Sequence, residues 1–160
     1  MSYQVNIQVA EAWVEAPLRR FVDDSRVQIA VLMHPSGQVL GQLGFSRSSD
    51  VMTACALAAA INASSAELGR QLEGKPFGGM HFAGRQRQIF LGLTPTSRGG
   101  LLLLSVFDES SSLGLVQVFF DEFRERLAGS VPVVETPPEA LAADFEGDLN
   151  RNLAALFGKT

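Results

Sequence analysis

Residues Gly99 to Phe107 read GGLLLLSVF, and this nearly unbroken apolar run leaves few structural options. A strand with one wet face alternates apolar and polar residues, and an amphipathic helix shows a stripe every three to four residues. An apolar run of strand length matches neither pattern and belongs to a central strand buried on both faces. Such a strand needs covering elements above and below it.

The flanking sequence supplies them. Apolar spacing predicts a helix over about residues 11–24, with Val14, Leu18, Phe21 and Val22 near one face. Pro17 conflicts with a straight helix from Glu11, so the helix either kinks there or begins near Ala16 with proline in its first turn. RVQIAVLMHPSGQVLGQLGF reads as a hairpin. Val27, Ile29, Val31 and Met33 alternate toward one side, Val39, Leu40 and Leu43 continue beyond the turn, and Pro35-Ser36-Gly37 makes the turn. A second helix is expected over about 49–73, with Val51, Ala54, Ala58, Ile61, Leu68 and Leu72 as its apolar face and Gly74 and Pro76 ending it. FGGMHFAGRQRQIFLGLTP gives two short strands around residues 84–86, the leucine run a third, and a third helix follows over about 112–128. The order α-β-β-α-β-β-β-α predicts an α+β sandwich, one antiparallel sheet of five strands with helices on both faces.

Beyond residue 130 the pattern breaks. Residues 131–138 carry Pro132, Pro137 and Pro138 and read as a linker that separates a domain over 1–130 from residues 139–160. Thr136-Pro137-Pro138-Glu139 matches a capping box, and Leu141, Phe145, Leu149, Leu153 and Leu156 form the stripe of a terminal amphipathic helix.

Composition narrows the function classes. The 160 residues are 46% hydrophobic and 19% charged, as in globular chains, and the net charge of −4 argues against a nucleic-acid or anionic-membrane partner. The opening MSYQVNIQVAEAW has neither a basic start nor a long apolar run, so no signal peptide is expected. Unbroken apolar runs such as Leu101 to Leu104 are far below the roughly 20 residues that span a bilayer. The expected compartment is the cytoplasm.

Residues with chemical potential do not converge. His34 and His81 lack a partner at metal-ligand spacing, and the single Cys55 lies in the apolar TACALAAA, where an inert buried thiol is expected. No phosphate-binding glycine loop follows a strand. Asp23-Asp24 and Asp108-Glu109 read as solvated turns, and Arg85 and Arg87 flank a hairpin turn with no aromatic interleaving. Ser110, Ser111 and Ser112 precede the third helix without GxSxG or a nearby histidine, and read as caps for its orphan amides. No catalytic residue, cofactor or metal is expected.

What the chain has in excess is apolar helix surface. Leu113, Val116, Phe120, Phe123 and Leu127 form the core stripe of the third helix, while Leu115, Val118 and Phe119 lie on other sides, expected under the first helix. On the second helix, Ala56, Ala59, Ala60, Ala63 and Ser64, with Glu67 further along, lie opposite the predicted core stripe. Alanine is the best helix former, which is one account of that face. A side-chain-poor face over several turns also admits another polypeptide at close range, and this second account is the one preferred here.

These segments resemble the roadblock family of small dimeric proteins. VLMHPSGQVLG is similar to its first hairpin, ALAAAINASSAELG to its central helix, and LLLLSVFDESSSLGLVQVFFDEFRERL to its last strand, acidic–serine turn and helix. The tail ADFEGDLNRNLAALFGK is similar to the bacterial MglB-like branch, which partners a Ras-like GTPase of polarity and gliding systems. The resemblance implies a roadblock-type α/β/α sandwich and a homodimer paired along Phe77 to Ala83, with Phe77, Met80 and Phe82 as edge residues. It also implies a small Ras-like GTPase of the MglA type seated on Ala56, Ala59, Ala60, Ala63, Ser64 and Glu67. GTP hydrolysis would be accelerated by repositioning the GTPase's own residues. Two alternatives stay open: a scaffold that recruits proteins without changing nucleotide turnover, and a sensor or enzyme with Cys55 and His81 near one cavity.

Overall fold

The computed structural model describes residues 8–132 and 150–151. The elements are β1 (Gln8–Val9), α1 (Ala12–Ser25), β2 (Ile29–Met33), β3 (Val39–Leu43), α2 (Ser48–Glu73), β4 (Gly79–Ala83), β5 (Gln88–Thr96), β6 (Gly99–Phe107) and α3 (Leu113–Ser130). The strands form one antiparallel sheet in the order β1-β3-β2-β6-β5-β4. The α+β sandwich is as expected, with six strands rather than five. The additional β1 is two residues paired with Gly41 and Gln42, too short to produce a periodic signal.

The leucine run is β6, paired with β2 on one side and β5 on the other. Leu101, Leu103 and Phe107 enter the core beneath α1 and α3, and Leu102 and Leu104 enter the core beneath α2. Successive side chains point to opposite faces, so a strand covered twice must be apolar twice. On the α1/α3 side Phe21, Phe90, Phe120 and Phe123 form a chain of ring contacts. Gly92 lies directly beneath Phe120, where any side chain would collide with the ring.

The β2–β3 turn is the one read from the sequence. The His34 and Gly37 amides donate to the Gln38 and His34 carbonyls, each at 2.8 Å, and Gly37 has a φ of 94°. Ile29, Val31 and Met33 face α2, but Val27 precedes the strand and packs in the opposite core. Beyond the turn Val39 faces α2 while Leu40 and Leu43 face α1, across a register shift at Leu32–Met33. Helix α1 begins at Ala12, which excludes a start near Ala16. Pro17 lies inside it and is buried, with no amide to close on the Trp13 carbonyl.

Of the three serines before α3 only Ser112 is a cap, its Oγ accepting from the Leu115 amide at 3.2 Å. The Asp108 carboxylate accepts from the Ser110 hydroxyl at 2.6 Å and the Ser110 amide at 2.9 Å, and these bonds hold its pKa below the usual carboxylate value. Ser111 Oγ donates to the Ser25 carbonyl, tying the turn to the end of α1. Val116, Phe120, Phe123 and Leu127 of α3 are buried and Leu113 is half-buried; Phe119 packs against that core, whereas Val118 stays exposed. Val131, the first residue of the expected linker, is buried and donates its amide to the Leu127 carbonyl, ending α3. The tail stripe Leu141, Phe145, Leu149, Leu153 and Leu156, and the capping box before it, lie outside the described residues.

Candidate functional site

Helix α2 carries no charged residue from Val51 to Ala66, and it is long and apolar enough to cross a membrane by length and composition. Yet little of it is buried. The residues against the sheet are Val51, Cys55, Ala58, Ser65 and Gly69. The predicted stripe of Val51, Ala54, Ala58, Ile61, Leu68 and Leu72 is therefore corrected: its large members face outward, with Ile61 39%, Leu68 51% and Leu72 68% exposed. Small side chains occupy most of the face against the sheet, and Gly69 leaves room for the Lys75–Phe77 backbone, where a Cβ would collide. The aliphatic residues are displaced to a flank.

At 100° per residue the helix presents two free surfaces. The outer ridge holds the predicted contact residues. Ala56, Ala60, Ala63, Ser64 and Glu67 are exposed and Ala59 is half-buried. The β2–β3 turn approaches the backbone at Cys55–Ala56 without covering the ridge. Ser64 and Ser65 donate to the Ala60 and Ile61 carbonyls, so neither hydroxyl is left seeking a partner. Glu67 pairs with Arg70 at 3.2 Å and closes the uncharged stretch. The second surface is the flank Leu57, Ile61, Leu68 and Leu72. Leu57 is 60% exposed and was not among the predicted residues; the spacing 57-61-68-72 is the signal that identifies it.

Beside this flank lies an apolar groove of about 610 Å³, lined by Leu57 and Ile61 of α2, by Phe45, and by Phe82, Ile89 and Arg87 of the β4–β5 hairpin. Strand β4 is one of the two outer strands of the sheet, the two-residue β1 being the other. Met80 and Phe82 of the predicted edge belong to it, and Phe77 lies just before it. Gly78 and Gly79 shorten the strand but do not abolish it.

Cys55 and His81 do not share a cavity. Cys55 is buried in the core beneath α2, and burial pushes its thiol pKa up. His81 pairs in register with Phe90, accordingly faces the α3 side, and stacks on Phe107 at 6.3 Å. Its Nε2 hydrogen-bonds Gln88 Oε1 at 2.7 Å. The sheet separates the two residues, which removes the geometry a thiol–imidazole site requires. No group of three or more metal-ligating side chains converges among the described residues.

No protein-family model and no curated protein sequence matches the chain. Solved structures do. MglB of Myxococcus xanthus superposes with a TM-score of 0.65 at 21% identity, covering 75% of this chain and 95% of that one. The gliding protein MglB of Thermus thermophilus gives a TM-score of 0.65 at 21% identity over 80% of this chain and 97% of that chain. A Roadblock/LC7 domain from Streptomyces avermitilis gives 0.55 at 16% identity over 62% and 80% of the two chains. With its sheet order, its two helical layers and these likenesses together, the chain has the roadblock fold, in the form seen in MglB.

Proposed function

We propose that this protein is a non-enzymatic, self-associating regulator of a small Ras-like GTPase of the MglA type, acting in cell polarity or motility. The observation that carries the reading is the outer ridge of α2. From Ala56 to Ser64 it is uncharged and poor in side chains, and all but the half-buried Ala59 is exposed among the described residues. An exposed helix ordinarily carries lysine, glutamate or glutamine there, and a contiguous apolar surface marks a protein contact. The fold shared with MglB, together with the sequence resemblance to the MglB-like branch, supports a Ras-like GTPase as the partner class. Ala56, Ala59, Ala60, Ala63, Ser64 and Glu67 form the contact. In this reading the regulator accelerates GTP hydrolysis by repositioning groups that the GTPase already holds, its own described residues offering no catalytic constellation.

Single-turnover GTP hydrolysis by the cognate GTPase, with and without this protein, tests the proposal. Stimulation is expected, and Ala63→Arg should abolish both stimulation and binding while the circular dichroism spectrum stays unchanged. Full stimulation by the variant would refute the contact assignment. Binding without any change in turnover would leave a scaffold of the same fold.

A further inference from the structure

The hydrogen bonds of the outer strand β4 fix which of its backbone groups remain open. The Leu93 amide donates to the Gly78 carbonyl and the Gly84 amide to the Arg87 carbonyl, each at 2.9 Å. Gly78 and Gly84 therefore turn toward β5, and by the two-residue alternation of a strand so do Met80 and Phe82. The amides and carbonyls of Gly79, His81 and Ala83 point to the free edge. The side chains of these three residues share the α3 side of the sheet, because His81 pairs with the core residue Phe90. On that face of β4 one histidine stands between a glycine and an alanine.

On the self-associating reading, an antiparallel pairing of this edge makes the most bonds when positions 79, 81 and 83 meet positions 83, 81 and 79 of a second copy. His81 then lies opposite the same residue of the second copy, with Cβ atoms about 5 Å apart and only small neighbours beside it. Its surroundings do not neutralise a positive charge. From β5 come the neutral Gln88, whose Oε1 bonds Nε2 at 2.7 Å, and the ring of Phe90. From β6 comes Phe107, stacked on the imidazole. From α3, Gln117, Asp121 and Arg124 line the same cleft, but Asp121 and Arg124 already pair with each other at 3.7 Å.

Histidine is the side chain whose charge ordinarily changes between pH 5 and 8. Two neutral imidazoles tolerate this proximity, whereas like charges directly opposite on a sheet repel. We propose that His81 is a proton-operated switch on self-association: acid charges the facing imidazoles and loosens the dimer. This rests on the self-associating reading and adds its regulation. The sign sets it apart from bulk electrostatics. Each chain carries a net charge of −4 at pH 7, so acidification reduces the repulsion between whole copies and by itself would tighten them. The switch acts in the opposite direction, because a dimer that disfavours imidazolium binds fewer protons than two separate chains.

Sedimentation equilibrium of the full chain at about pH 8 and about pH 6, at one ionic strength, tests it. The dimer dissociation constant should rise about fivefold at the lower pH, with the circular dichroism spectrum unchanged. His81→Gln should keep the dimer and abolish the rise. His34→Gln, in the β2–β3 turn, should leave the rise intact. His81→Lys, charged throughout, should weaken the dimer at both pH values. A wild type that is monomeric at both would overturn the self-association reading and this proposal with it. A dimer that is unchanged or tighter in acid, that still loosens in His81→Gln, that is lost altogether in His81→Gln, or that tolerates His81→Lys at full affinity would overturn the switch alone.

Discussion

The two faces of the sheet are built to different degrees of completion. On the α1/α3 face, two helices close over β2, β5 and β6 with large side chains: Phe21, Phe107, Phe123, Leu18, Leu101, Leu103 and Leu127 are fully buried. On the α2 face a single longer helix buries mainly a valine, a cysteine, an alanine, a serine and a glycine, and leaves its leucines outside. The described residues finish the first face and leave the second uncovered. Apolar area left in water forfeits roughly 25 cal/mol per Å², so a helix that exposes four aliphatic side chains on one stripe gains substantially from a partner.

The largest effect that should separate the faces is truncation. Phe123→Ala on the closed face removes a ring packed against Phe21 and Phe120 and should cost about 3–5 kcal/mol in urea unfolding, at any protein concentration. Leu72→Ala on the open face should cost under about 0.5 kcal/mol in dilute solution, with any larger loss appearing only as concentration rises. Equal, concentration-independent losses would erase the contrast.

Two intermediate effects probe how complete the closed face is. Ser112→Ala removes the cap of α3 and should destabilise by about 1 kcal/mol, read by the same unfolding curves. Thr94 is fully buried and its Oγ1 has no hydrogen-bond partner among the described residues. Thr94→Val keeps the shape and removes the orphan hydroxyl, so it should stabilise by about 1 kcal/mol; a loss instead would mean that the hydroxyl is satisfied in solution.

The smallest effect is electrostatic. Ser110 holds the Asp108 carboxyl below its ordinary pKa, so the fold favours the carboxylate. The resulting stability is present above the unfolded-chain value near 3.8 and is lost as pH falls through the lower folded value. Ser110→Ala should move the Asp108 pKa back up, as followed by carboxyl chemical shifts, and flatten this acid limb. The α2 face should be indifferent to the change.

Much of the closed face was legible. Strand β6, the β2–β3 turn and the stripe and cap of α3 follow from local patterns, because a doubly buried strand, a proline–glycine turn and a capped amphipathic helix each have sequence-local causes. The open face was not. Periodicity grouped Val51 and Ala58 with Ile61, Leu68 and Leu72 because hydrophobic scales rank large aliphatics as the buried ones. Cys55, Ser65 and Gly69 took those positions, Gly69 because the Lys75–Phe77 backbone lies where a side chain would be. The pair Cys55 and His81 illustrates the same limit. Which side of a sheet a residue faces depends on register, and register is a property of paired strands rather than of either strand alone.

The sequence by itself determined most of the strands and helices, β1 and the exact start of α1 excepted, and that the sheet must be covered twice, since these follow from side-chain periodicity and backbone preference along the chain. Only the tertiary structure decided which flank of α2 meets the sheet and which strand is left at the edge. Those outcomes depend on how closely two surfaces can approach, and that is fixed by volumes contributed from residues far apart in the chain.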